Sequence, residues 1–216
     1  MGLLVITMEQ AVKPRKTGRP LSFDRQVALR RAMLTFWRHG YETTSINDLT
    51  AAMGVTAPSI YTAFGDKKRL FMEAMRLYAG VPEDLQASLD AAPTARDAAV
   101  AMLTAAAHAF TGEATPRGCL LASATASGSQ DAADVQEAVA EVRRDIVARL
   151  TGRIERDIET GILPETTSAT GLAMLVVALI QGMSILARDG IDRVTLLAMA
   201  GQAMRCWPPS RQDDKR

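Results

Sequence analysis

Cysteine, histidine and aromatic residues are all scarce in this 216-residue chain, which has 2 Cys, 2 His and 5% aromatics. Two cysteines cannot frame a disulfide scaffold, and Cys119 and Cys206 lack the spacing of metal ligands. A reduced, cytoplasmic setting is the expectation, with no metal and no cofactor. His39 and His108 stand far from any GxSxG or HExxH arrangement, and there is no Gly-rich phosphate loop, so an enzyme is disfavoured. The few aromatics argue against a large pocket that stacks flat ligands. Alternating Val/Ile/Thr runs are absent, so strands are not expected. Residues 81–214 hold no lysine at all. The apolar start, Met1 to Ile6, has no basic segment before it and is too short for a signal-peptide core. Ile6 stands where myristoylation of Gly2 would want Ser or Thr.

What is present points to helices and to nucleic acid. The 48% hydrophobic share is ample for a packed core. Formal charge is nearly balanced overall, but residues 1–80 carry 12 Lys+Arg against 6 Asp+Glu, and residues 81–216 carry 13 against 18. A basic front joined to an acidic remainder is the pattern of a nucleic-acid module attached to something else. Apolar residues recur at helical spacing throughout. Asp24 caps a first helix that ends at Gly40. Ser45 caps a second, with Asp48 as its capping-box partner. After the turn at Gly54-Val55, Thr56 caps a short third helix from Ala57, where Pro58 is tolerated in the first turn. Gly65 ends it and Asp66 caps a fourth helix to about Ala79. Val81-Pro82 reads as a break. Further helices are expected near 94–111, 118–126, 132–160, 168–188 and 192–206. The fold class is therefore all-α: three short helices, a linking helix, then about five longer ones. The boundaries are a flexible basic arm over 1–20, the first domain over 21–80, the second over 81–207, and a flexible tail over 208–216.

Two short capped helices joined by a Gly-containing turn, Ser45 to Phe64, form a helix-turn-helix pattern. The second helix of such a pair enters the major groove while the first crosses the backbone. Ile60 and Phe64 face inward; Ala57, Ser59, Tyr61 and Thr62 face outward, with short or hydroxyl-bearing side chains suited to phosphates and thymine methyls. Lys13, Arg15, Lys16 and Arg19 form a basic arm ahead of the first helix. Lys67 and Lys68 open the fourth, and together these cations can neutralise phosphates.

The stretch from Gly18 to Tyr78 resembles the TetR family of transcriptional regulators. The residues that carry the resemblance are GRP at 18–20, FD at 23–24, FWRHGYETTSINDL at 36–49, MGVTAPSIYTAFGDKKRLF at 53–71, and Tyr78. It implies an N-terminal three-helix helix-turn-helix domain followed by a C-terminal helical ligand-binding and dimerisation domain, in a homodimeric repressor released from a palindromic, double-stranded DNA operator by a small-molecule effector. By position, Thr44, Tyr61 and Lys67 resemble phosphate contacts, and Thr56, Ala57, Ser59 and Thr62 resemble groove-facing residues. Pro58, which has no amide proton, departs from the pattern. Pro116-Arg-Gly-Cys-Leu-Leu resembles a loop-to-helix segment of a subset of members, in some of which a cysteine senses electrophiles or oxidants. Arg117 and His108 are the groups at hand to activate Cys119; the plain alternative is a small buried cysteine.

For a cavity in the second domain the candidate lining is Met102, Leu103, Ala106, Phe110, Cys119, Leu120, Val142, Ile146 and Met174, though such a stripe is more often plain core. His108 reads as a hydrogen-bonded core histidine. Helix-turn-helix readers pair so that two recognition helices meet successive grooves, and the last two helices are too apolar for one subunit to cover. Met174, Val177, Gln181, Ile185, Leu197, Ala200 and Met204 are the candidate dimer seam. Ala169–Ala187 approaches the length of a membrane span, but Gln181-Gly182 interrupts it and no basic cluster flanks it, so burial is expected and no membrane partner. The rival to specific DNA binding is a helical interaction module; Gly54, Tyr61, Lys67 and the basic arm weigh against it.

Overall fold

A computed structural model describes residues 23–123 and 132–210; Arg15, Lys16 and Arg19 of the basic arm lie outside the described residues, as does most of the tail. The chain begins with α1 (Arg25–His39), α2 (Ile46–Met53), α3 (Ala57–Phe64) and α4 (Lys67–Ala79). It continues with α5 (Pro82–Ala91), α6 (Ala95–Phe110), α7 (Leu120–Ser123), α8 (Ala133–Glu159), α9 (Ala169–Arg188) and α10 (Arg193–Ala203), closed by a 3-10 turn over Met204–Cys206. No strand occurs among the described residues. The caps explain the boundaries: Asp24, Ser45, Thr56, Asp66, Thr94, Ser168 and Asp192 each accept an amide N–H from the first turn of the helix that follows.

Two boundaries differ from the sequence expectation. Pro82 starts a helix rather than ending one: at its first position the missing N–H costs nothing, and Glu83 and Asp84 suit the positive end of the helix dipole. The helix expected over 118–126 is described only as the single turn Leu120–Ser123.

Buried side chains form one continuous cluster from Ala28 to Trp207. At the front, Phe36, Phe71 and Tyr41 pack edge to face beneath α1, with the Phe36 and Phe71 centroids 5.2 Å apart. The front helices meet the rear at α1 and the turn before α7. The buried indole of Trp37 donates from Nε1 to Gly118 O (3.0 Å) and stands edge-on to Tyr78 at 4.8 Å between centroids. Arg188, from the end of α9, donates to Trp37 O (3.2 Å), Cys119 O (3.3 Å) and the Ser123 hydroxyl. Gly118 sits at φ +79, and a Cβ there would lie 2.8 Å from Ser184 O and 2.7 Å from Arg188 Nε.

A buried ion pair organises the far end. Arg153 on α8 bonds Asp157 one turn later and donates to Leu89 O (3.1 Å), Ala92 O (3.0 Å) and Pro93 O (3.1 Å), the carbonyls that end α5. Asp157 in turn accepts the N–H of Ala95 at 2.7 Å, which begins α6. Every polar edge of the pair is thereby used, the condition under which burying it is tolerable.

Arg153→Ala strands the Asp157 carboxylate and frees three carbonyls, so urea denaturation should show a loss of about 3–5 kcal/mol. Gly118→Ala combines a left-handed backbone with a contact no real Cβ makes; it should cost at least about 2 kcal/mol by the same measurement.

Candidate functional site

α2 and α3 form the helix-turn-helix unit. Ser45 and Asp48 make the reciprocal capping box, and Gly54 turns the chain at φ 71. Leu49, Met53, Ile60 and Phe64 are buried, with Ile60 wholly so, and this fixes which face of α3 turns outward. An eight-residue helix has little stability of its own, and its seat comes from α1. Arg25 donates from Nε and Nη2 to Ala63 O (3.3 and 3.2 Å) and from Nη2 to both Glu73 carboxylate oxygens (2.8 and 2.7 Å). Its guanidinium also lies 4.4 Å from the Phe64 ring centroid. The end of α3 is thus pinned to α4. Arg31 does the same for α2, donating to Met53 O at 3.3 Å. Neither arginine was singled out from the sequence, because their partners lie 22 to 48 positions away.

The exposed stripe of α3 is Pro58, Tyr61 and Thr62, flanked by the half-buried Ala57 and Ser59 and by exposed Thr56. Tyr61 is 51% exposed, large for an aromatic on a monomer surface. The Thr62 hydroxyl donates to Pro58 O (2.8 Å), and the Thr56 and Ser59 hydroxyls lie 2.9 Å apart. These bonds orient the hydroxyls and leave acceptor lone pairs toward solvent. Between α3, α4 and the start of α8 runs an open cleft of about 700 Å³.

Three residues expected at phosphates also make bonds within the chain. Thr44 is fully buried and its hydroxyl donates to Gly40 O at 2.6 Å, so it ties the loop before α2 instead of facing outward. Lys67 donates to Thr44 O (2.7 Å) and Glu42 O (3.2 Å) and sits 4.6 Å from the Tyr41 ring centroid. Its partial burial lowers its pKa, opposed by the nearby Glu42 charge. Lys68 pairs with Asp134 at the start of α8 (2.6 Å), and that bond raises the lysine and lowers the aspartate. Both ammonium groups hold the α1–α2 loop and α8 against α4.

Behind the helix-turn-helix, α4, α5, α6, α8 and α9 enclose a cavity of about 950 Å³. Met102, Phe110, Cys119, Val142 and Ile146 line it as expected. Leu103, Ala106 and Leu120 are wholly buried in the core and are not among its lining, because they lie on a different face of their helices. Met174 is 58% exposed on the outer side of α9 and does not line it either. The sequence missed Tyr78, Leu85, Leu89, Val177, Ile180 and Gln181; two of these sit on α5, which read as a break. His108 is exposed at the cavity rather than bonded in the core. Cys119 is buried, its sulfur accepting from Tyr78 Oη at 3.2 Å and its N–H donating to the Ser184 hydroxyl at 2.8 Å. Burial, and secondarily the neighbouring Cys119, push the Tyr78 phenol well above its ordinary pKa, so it stays a donor. Arg117 is exposed, with a guanidinium nitrogen near Gly190.

α9 is long and apolar enough to cross a membrane by composition, and a third of its most apolar window (33%) is buried within the chain. Its buried side packs on α6 and α8. The expected seam splits accordingly: Met174 and Ile185 are exposed, whereas Val177 and Gln181 line the cavity, and Ala200 and Met204 are buried within the subunit. Leu197 is half-buried. A helix apolar on all sides carries no periodic signal for which face is inward. The exposed stripe runs through Gly171, Met174, Leu175, Ala178 and Ile185, beside Val194, Ala198 and Gly201 of α10.

Known proteins share this arrangement. The model of the tetR family of bacterial regulatory proteins matches residues 28–74, and a tetracyclin repressor-like C-terminal domain matches residues 83–193. The HTH-type transcriptional repressor ComR of Escherichia coli K12 is 36% identical over 205 residues, covering 92% of this chain and 95% of that one. A cysteine mutant of the TetR family regulator CifR, solved with a 26-base-pair double-strand operator DNA, is 38% identical with a TM-score of 0.83, covering 88% of this chain and all of that one (100%). A TetR regulator from Rhodococcus sp. RHA1 is 35% identical with a TM-score of 0.58, over 85% and 99% of the two chains. The chain belongs to the TetR family and is a DNA-binding transcriptional regulator.

Proposed function

We propose that the protein is a homodimeric, cytoplasmic repressor without catalytic activity, held on a palindromic operator and released by a small molecule in the cavity. Residues 21–80 act as the DNA-binding domain and 81–207 as the ligand-binding and dimerisation domain. The observation that carries this reading is a solvent-facing recognition helix, pinned by Arg25, in the same chain as a large apolar cavity. The operator complex of the 38% identical CifR supports it. Tyr61, Thr62, Thr56, Ala57 and Ser59 meet the duplex, with phosphate contacts added by Arg15, Lys16 and Arg19 of the basic arm.

Dimerisation uses the exposed stripe of α9 with α10. Gly171, Ala178, Gly182 and Gly201 are small enough to let two helix pairs approach closely. Two recognition helices then reach successive major grooves about 34 Å apart. A ligand releases DNA only if it binds better to the spacing that does not fit. The bonds available to carry that preference run from Tyr78 through Cys119 and Gly118 to Trp37 on α1.

Tyr61→Ala should lower affinity roughly tenfold for operator and random duplex alike without altering stability, since it removes a sequence-independent contact. Fluorescence anisotropy on both duplexes measures this, and unchanged affinity on both would remove α3 from the interface. Ile185→Glu places a charge on a 59% exposed seam position. Sedimentation should show a folded monomer, with operator affinity reduced at least about a hundredfold through loss of bivalency.

A further inference from the structure

The walls of the cavity are mostly Ala, Leu, Val, Ile and Met, and its polar groups are unevenly placed. The α6 wall extends from Asp97 to His108, which is about 16 Å of helix. The Asp157–Ala95 bond fixes one end of the chamber, beside α5. His108 lies thirteen residues beyond Ala95 on α6, about 20 Å away, and Arg143 lies fourteen residues before Asp157 on α8, about 21 Å away. Each therefore stands about 20 Å along its own helix from that end. Gln181 lies one turn from Ser184, which bonds Cys119.

The polar groups away from that end divide into those bonded within the chain and those reached by solvent. Tyr78 and Cys119 bond each other. The half-buried Arg143 and Gln181 and the exposed His108 line the cavity, their polar ends open to water or to a ligand. One turn either side of Arg143 stand Val139, Ala140, Ile146 and Val147, so no carboxylate occupies its neighbouring positions on that face of α8. Among the described residues the lining holds one lysine-or-arginine cation, Arg143, and one carboxylate, Asp97 at the opposite end, which accepts from the Thr94 hydroxyl at 2.7 Å.

We propose that the cavity binds an elongated hydrophobic carboxylate, its head on the Arg143 guanidinium and its chain lying along α6 toward α5. A guanidinium fork matches a carboxylate in shape and charge. A single cation balances one negative charge, which suits a carboxylate better than a phosphate monoester. Asp97 repels the head from the wrong end and so sets the orientation. Few aromatic rings line the space, so an extended aliphatic chain fits better than a flat polycycle. The claim about binding stands on the cavity alone; its regulatory meaning rests on the repressor reading.

The test is calorimetric titration of the full chain with decanoate, decanol and decylammonium, each below its aggregation concentration. Decanoate should bind at least about tenfold tighter than decanol, the scale of a hydrogen bond to a charged group. Arg143→Gln should erase that preference while leaving decanol affinity unchanged, and Arg143→Lys should keep part of it. Equal binding of acid and alcohol, a preference that survives Arg143→Gln, tighter binding of decylammonium, or no binding of any probe would overturn the proposal. Retention of a duplex selected from genomic DNA, followed in the same samples, separates the two readings. Decanoate that binds without releasing the duplex upholds the ligand class and overturns the sensor role. A protein that selects no duplex overturns the repressor reading while the binding result stands.

Discussion

The bond from the Trp37 indole to the Gly118 carbonyl is the constraint on which the rest depends. It joins the first helix of the DNA-binding unit to the turn that carries a cavity wall residue, and it is buried, so neither group can turn to water instead. Arg188 adds bonds to the carbonyls of Trp37 and Cys119 from the end of α9. A carbonyl at the end of α1, the turn before α7 and the far end of α9 are therefore held by one cluster. The left-handed backbone at Gly118 is what lets them come so close. A change in the cavity that moves Tyr78 or Cys119 meets α1 within two contacts.

The recognition helix itself is a passenger in this scheme. Eight residues cannot hold a helix in water, and α3 keeps its position because Arg25 clamps its last turn to Glu73 while Ile60 and Phe64 fill the core beneath. Lys67 and Lys68 serve the same end by bonding the α1–α2 loop and Asp134. Two cations at the start of α4 thus also brace the loop before α2 and the start of α8. The outward face of α3 keeps a fixed position only because this seat is rigid.

How much could be read in the sequence follows from the range of the interactions. The ends of α1 to α4 were legible because each cap is decided within three or four residues, as at Ser45–Asp48 and Thr56–Ser59. The helix-turn-helix followed directly. α5 was missed because Pro82 is ambiguous: the same residue ends a helix or begins one, and the choice depends on Leu85 and Leu89 finding the core. The inward face of α9 was not legible at all, since its sequence is apolar around the full circle and only α6 and α8 decide which side is covered. The bond from Lys67 to the Thr44 carbonyl, at 2.7 Å, is likewise not legible, because the two residues are 23 positions apart.

The split of charge along the chain has a consequence for how the molecule finds its site. Positive charge gathers in residues 1–80 and negative charge in residues 81–216. A chain with its charge divided in this way would feel, near a polyanion, a torque as well as a pull. Its acidic part would be pushed off a duplex while its basic part was drawn toward it, so that encounters would begin with the molecule already turned. Added salt would slow arrival and loosen that alignment together, because one field produces both.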